Sequence, residues 1–507
     1  MMHRLALLLL VVTLGRAQVE LSDSPRAGAL VLAPNFASGY QALWANPANL
    51  GFVPTTITFA LGTPMGYGQY HYARRWSIGI GEIGGSAASN ALSFGQLAAI
   101  IFQLDQQRLS LADKRRAAEN FSGRGIAFNL DALLIGIGYQ SSGWGGIAIG
   151  VRDRISAEFR LNSMLARIAF LGRYDTYFDS TAINWRGDTV GYARTPKRYS
   201  ELFDSSRIGM SWLRDYAIGY GVRLYNGRHV QLYGGVVGRL IEGYILLDGK
   251  IENRTITAYS AISPYFNVSY GKATTPSLRP GDGLVPVGSG FGGDVGLTLD
   301  VGGRWRGSLA VLDIGSVWWD GNVFAVEDTV LNGMITTGFS SYNIFAEAQN
   351  ITGEGGYFKW SGLPGVRRML PTRLRVALSH SIGIERDVGI EATVPLRPDA
   401  PGAPPFFCHA GDAVLGQCAA HRQWWPPYWD DCCVGVSRRG AGSAVGWSVG
   451  AWLFDARPCI ADFAEASRPI AGGCSAAISL LIRCVAGRGR VQYPGAFEVA
   501  LDRGHAR

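Results

Sequence analysis

The stretch Gly288–Trp319, GSGFGGDVGLTLDVGGRWRGSLAVLDIGSVWW, decides the fold. Val295, Leu297, Leu299 and Val301 alternate with Gly296, Thr298 and Asp300. Gly302 and Gly303 then break the chain. Beyond them Ser308, Ala310, Leu312 and Ile314 interleave with Leu309, Val311 and Asp313, up to Trp318 and Trp319. Period-2 alternation, a glycine turn and a terminal aromatic pair mark a membrane β-hairpin, with one face to lipid and the other to a polar lumen. Aromatic side chains settle at the lipid–water interface. A soluble sandwich hairpin alternates in the same way, so the rest of the chain must discriminate.

Composition favours the membrane reading. Glycine makes up 68 of 507 residues, about twice its usual share. Only 17% of residues are charged and 11% are aromatic. Beyond the N-terminus no apolar run is long enough for a helix to cross a bilayer. Short alternating segments rich in Gly, Tyr and Trp fit a β-barrel better than a bundle or an α/β enzyme. The net charge of +8 is diffuse, with no basic cluster interleaved with aromatics, which excludes nucleic acid as a partner.

The N-terminus reads as a secretory signal over residues 1–17. His3 and Arg4 form its charged end, Leu5–Leu14 its apolar core and Gly15-Arg16-Ala17 its cleavage site, so the mature chain is expected to start at Gln18. Residues 18–53 form an N-terminal plug-like or hatch-like segment, where Tyr40, Leu43 and Trp44 share helical spacing and Asn46-Pro47 stops the helix. Residues 54–400 form the barrel. Strands are expected over Thr56–Leu61, Tyr70–Ile80, Gly125–Tyr139 and Gly146–Leu161. Longer ones follow over Ile208–Tyr225, His229–Leu247 and Thr255–Tyr270, then Gly333–Ala348, Gly356–Trp360, Leu374–Ile382 and Gly389–Pro395. Ser110 and Asp113 form a capping box that opens a short helix through about Asn120, and Asn162 caps a second over Ser163–Leu171. The expected aromatic girdle is Trp144, Tyr220, Tyr244, Trp318, Trp319 and Trp360.

The Asn46-Pro47-Ala48 segment before a first strand resembles that of outer-membrane barrels of the long-chain fatty-acid transporter type, and of the related Bacteroidetes secretion barrel. The order of landmarks over roughly residues 30–400 resembles a family of uncharacterised outer-membrane barrels from Bacteroidetes-like bacteria. Those landmarks are Leu111-Ala112-Asp113-Lys114, the strands flanking Gly143, the Gly288–Trp319 hairpin, and Leu370-Pro371-Thr372-Arg373-Leu374-Arg375. The resemblance implies an antiparallel transmembrane β-barrel of about 14 strands, with an inward N-terminal segment and short helical inserts.

Several motifs do not carry chemistry. Gly79–Gly84 matches a dinucleotide fingerprint, but a small-residue loop follows where a helix is needed. Gly446-Trp447-Ser448-Val449-Gly450 matches a nucleophile elbow without triad partners. His71, His229 and His380 stand alone, and His380 and Ser381 point to opposite faces of a strand. We therefore expect no enzyme, no catalytic residue, no metal and no cofactor, and single out no ligand-binding residue.

Residues 401–507 form an atypical tail. All seven cysteines lie between Cys408 and Cys484, alternation is lost, and Pro426 and Pro427 deny a central strand. Trp is encoded only by TGG, so Trp424-Trp425 shifted by one base reads Gly-Gly, the composition of the body. We read the tail as frameshifted and expect it to be irregular, against the alternative of a genuine Cys-rich appendage.

The expected location is the bacterial outer membrane, with outer-membrane lipid as a partner. The resemblance implies passage or binding of a small hydrophobic molecule. The competing expectation is a protein-interaction barrel with envelope protein partners, in secretion or envelope assembly. An apolar inner cavity and a kinked wall would favour the first, and a filled lumen with an exposed patch the second.

Overall fold

The computed structural model describes residues 33–52, 58–63, 66–71, 76–89, 91, 108–141, 143–341, 358–382, 386–397, 400, 407–414 and 444–449. The expected signal, residues 18–32 and most of the tail lie outside them. Two short helices, α1 (Ala33–Phe36) and α2 (Ala42–Ala45), precede the first strand. Strands β1 (Thr58–Thr63) and β2 (Gly66–His71) pair with each other. Then come β3 (Trp76–Ser89), helix α3 (Leu111–Phe121), β4 (Gly125–Ser141), β5 (Gly145–Arg160) and helix α4 (Ser163–Leu171). A small hairpin, β6 (Ser180–Ile183) and β7 (Thr189–Tyr192), and helix α5 (Tyr199–Leu202) lead into β8 (Ser206–Asn226) and β9 (Val230–Glu252). After β10 (Thr255–Ile262) follow β11 (Gly288–Val301), β12 (Trp305–Trp319), β13 (Val323–Val326), β14 (Gly333–Met334), β15 (Trp360–Gly362) and β16 (Val366–Met369). The chain closes with β17 (Arg373–Ile382), β18 (Arg386–Pro395), β19 (Phe407–Val414) and β20 (Ala444–Val449).

The fold is all-β and antiparallel. One 15-stranded sheet runs β19-β18-β17-β12-β11-β9-β8-β5-β4-β3-β20, with β10, β13, β15 and β16 branching from it. Among the described residues no pairing joins β19 to β20. The decisive hairpin forms, pairing from Gly288↔Trp319 to Val301↔Trp305 with Gly302 and Gly303 in its turn and one register shift between Gly293 and Val295. Short turns follow β4, β8 and β11, and the long connections all leave the opposite end of the sheet. Both helical inserts sit there. The Ser110 hydroxyl and the Asp113 carboxylate cap α3 reciprocally, and Asn162 caps α4. Their apolar faces meet around Ile168, Phe170 and Phe203, each burial contributing about 1.5–3 kcal/mol.

Three expected strands differ. Tyr70–Ile80 falls on two strands, β2 paired with β1 and β3 paired with β4, with 72–75 outside the described residues; Thr255–Tyr270 ends at Ile262, where Pro264 starts a 3-10 turn and removes a ladder donor. Gly333–Ala348 contributes only Gly333–Met334, paired with β7 outside the main sheet; 342–348 lie outside the described residues. The tail, expected to be irregular, supplies β19 along β18 and β20 along β3. A bare sheet edge offers unpaired donors and acceptors, so any segment of adequate propensity is drawn to it.

Candidate functional site: an occupied inner face

Residues 35–52 lie against one face of the sheet and cross it from β3 to β17. Tyr40, Leu43, Trp44 and Leu50 are fully buried. The strands admit this segment because they carry glycine beneath it. A methyl group on Gly221 would sit 2.7 Å from the Gly51 nitrogen and the Pro47 oxygen; one on Gly138 would sit 2.6 Å from the Tyr40 nitrogen. Both distances are below any real contact.

Side chains from the wall bind the segment's backbone. The Gln140 amide nitrogen donates to the carbonyls of Asn49 (2.8 Å) and Phe52 (2.7 Å), while its oxygen accepts from Gly39 N–H (3.1 Å). Asn46 donates to the Thr298 hydroxyl (2.9 Å), which donates to Asn49 (2.8 Å). Asn35 donates to Ser379 (2.9 Å), and the Tyr40 hydroxyl meets Glu82. Asn46 also caps the 3-10 turn Pro47–Gly51 through Ala48 N–H, which is the local reason for the Asn-Pro pair.

The same face carries a buried ion network. Arg152 pairs with Asp131 (3.7 Å) and Asp215 (3.2 Å), and stacks over Trp44 at 4.1 Å. Arg154 reaches Asp215 (2.8 Å) and Asp313 (2.7 Å). Arg239 meets Asp294 and Asp313, Arg373 meets Asp313, and Arg375 meets Glu391. The acids and bases named here balance one for one, as buried charge requires. Asp313 has a φ of 60°, and it follows Leu312 inward, so a bulge turns two successive residues to the same face.

The opposite face is apolar and exposed. Ile149, Ile218, Val236, Leu240, Val295, Leu297, Leu299, Leu309, Val376 and Leu378 all stand on it. Leu297 is 44% exposed, whereas its neighbour Thr298 is 1% exposed. Of the expected girdle, Trp144, Tyr220 and Trp318 are exposed. Trp144 stacks on Tyr139 and Tyr220, and Trp76 joins Tyr139 at 4.7 Å. Tyr244, Trp319 and Trp360 are buried instead. Trp319 fills the space above Gly243 and Gly288, Trp360 packs on Tyr270 and Tyr244 packs on Trp212. Tyr244 is the extra residue where the register of β9 shifts against β8, between Gly243 and Ile245, and adjacent Trp318 and Trp319 must part to opposite faces.

Residues 201–410 match a family of unknown function, DUF5723. No curated protein matches the chain. The match spans the inner-face residues from Asp215 to Glu391, but neither the plug-like segment nor Arg152 and Arg154.

The discarded motifs fall on strands: Gly79–Gly84 within β3, and Gly446–Val449 within β20. His380 lies against the Trp305 ring, 4.2 Å between centroids. Among the described residues, no group of three or more His, Cys, Asp and Glu is arranged to hold a metal, and no helix is long and apolar enough to cross a membrane. The inner acids and arginines were missed as a set. Their signal was present: Asp131, Arg152, Arg154, Asp215, Arg239 and Asp313 each interrupt an apolar or glycine-rich strand.

Proposed function

We propose that this chain is a β-barrel of the bacterial outer membrane, with its apolar face to lipid. We propose further that it acts as a protein-interaction barrel in secretion or envelope assembly. The carrying observation is the inverted polarity: buried ion pairs inside, exposed aliphatics outside. A water-soluble sheet has no use for that arrangement, whereas lipid rewards it. Trp305 and Trp318 bracket the outward face of β12. At ~3.3 Å per residue and a ~45° tilt, they stand roughly 30 Å apart along the membrane normal. The inner face is filled by residues 35–52, which suits an anchor better than a pore. The hairpin β6–β7 holds out Ile183 (74% exposed) and Trp185 (87% exposed), a surface suited to a protein partner.

One observation favours the alternative, passage or binding of a small hydrophobic molecule. β12 pairs with β17 up to Leu312↔Arg373 and with β16 from Ser316↔Met369. Between them lie Asp313, Gly315 and Pro371, a kink in the wall.

The test is photocrosslinking in cells from a reactive residue at 185 and another at 297. The interaction reading expects a discrete protein adduct from 185 and only lipid from 297. Absence of any protein adduct from 185, together with a hydrophobic compound co-purifying with the barrel, would favour passage.

A further inference from the structure

The outer face has a gap. Cross-strand register aligns Ile137, Ile149 and Ile218 with Gly238, Gly293 and Ile314 in one row. Two adjacent glycines therefore interrupt a row of isoleucines. A groove of about 600 Å³ opens there, lined by Ile135, Ile149, Ile218, Leu240 and Phe291, with Gly238 in its floor. A methyl group on Gly238 would meet nothing within 4 Å.

The groove has a polar end. Tyr216 lines it and donates its hydroxyl to Glu242 at 3.1 Å. Tyr244 donates to the same carboxylate oxygen at 2.8 Å. Beside them Arg214 is held bidentate by Asp153 at 2.7 and 2.8 Å. Asp153, Arg214 and Glu242 share one cross-strand row, which runs on through Ser289 and Trp318 to Arg367. Arg214 is matched by Asp153, whereas Glu242 receives only neutral hydroxyls among the described residues and stands three strands away from Arg367, the next cation of the row. Trp318 places this row at the edge of the apolar belt, where lipid head groups lie.

We infer that this groove binds one membrane lipid, its chain over Gly238 and a primary-ammonium head group on Glu242. The occupant is a zwitterionic phospholipid of the phosphatidylethanolamine type, whose phosphate would lie toward Arg214. The charge decides among lipids. A carboxylate held by two donors wants a third, cationic donor, which an ammonium N–H supplies, a trimethylammonium lacks and a glycerol head cannot charge-assist. The inference rests on the membrane-barrel reading above.

The full chain is first tested for insertion into vesicles by protease protection and heat-modifiable migration. Native mass spectrometry then compares retention of phosphatidylethanolamine, phosphatidylcholine and phosphatidylglycerol with identical chains. Phosphatidylethanolamine should be retained about tenfold more than the others, as one charge-assisted hydrogen bond allows. Glu242→Gln should abolish the preference, and Gly238→Leu should lower retention of all three. A chain that inserts yet retains the three lipids alike, or whose preference survives Glu242→Gln, overturns the lipid site alone. A chain that does not insert overturns the barrel and the site together.

Discussion

Arg154 on β5 and Asp313 on β12 stand 2.7 Å apart although β8, β9 and β11 lie between their strands. Four steps across a flat sheet cover about 19 Å, beyond the reach of the two side chains. The sheet is therefore strongly curved, with the charged face inside the curve. Asp313 is the hub: it also meets Arg239 and Arg373, its N–H donates to Asp294 (2.6 Å), and Thr372 donates to its carbonyl (2.9 Å).

Removing that hub's charge leaves Arg154 and Arg239 buried without enough counter-charge. Asp313→Asn should cost about 3–5 kcal/mol in urea unfolding from vesicles. Breaking the exposed Arg279–Asp320 pair with Arg279→Ala should cost about 0–1 kcal/mol. Equal costs for the two would mean that the inner network is solvated.

Facing can be tested within one strand. On the proposed membrane-barrel reading, Leu297→Arg should destabilise the protein in vesicles by about 2–4 kcal/mol. Thr298→Ala should act differently, losing the bonds to Asn46 and Asn49 at about 0.5–1.5 kcal/mol each and loosening the inner segment. An unaffected Leu297→Arg protein would remove the outer face from lipid.

The antiparallel strands were legible because alternation and glycine turns act locally, as at Gly302-Gly303. The helix caps at Ser110 and Asn162 were legible for the same reason. The site was not. Arg154 and Asp313 are far apart in sequence, and only curvature joins them. Tyr244, Trp319 and Trp360 look like any interfacial aromatic until the neighbours that bury them are known. The glycines under residues 39–51 read simply as composition, since what they make room for lies elsewhere in the chain.

Helix α3, outside the strands of the sheet, carries a pH-dependent cap. The Ser110 hydroxyl's hydrogen bond holds the exposed Asp113 carboxyl below its ordinary range, with Ser110 N–H and Arg116 adding smaller contributions. A carboxyl lowered on folding stabilises above its unfolded value, about 3.9, and that contribution is lost as pH falls through the folded value. Amide protection in the first turn of α3 should therefore fall on acidification below about pH 4. Asp113→Asn should flatten the profile. A wild-type profile that stays flat in hydrogen exchange would show that the cap does not titrate.

The inner segment should respond to glycines in order of the space beneath them. At Gly221 a side chain meets the backbone of Pro47 and Gly51, which cannot swing aside as a side-chain tip could. At Gly238, on the same sheet but the outer face, it meets nothing. Alanine and valine both favour a strand over glycine, so neither change should weaken the sheet through propensity. Gly221→Val should thus lift residues 47–51 and cost about 1–3 kcal/mol of their seating by overpacking. Hydrogen exchange across residues 39–51 should accelerate accordingly, by about tenfold or more. Gly238→Ala should leave that exchange at the wild-type rate. If both variants exchange alike, the segment is not seated on the glycines, and the filled inner face on which the anchor reading depends is lost.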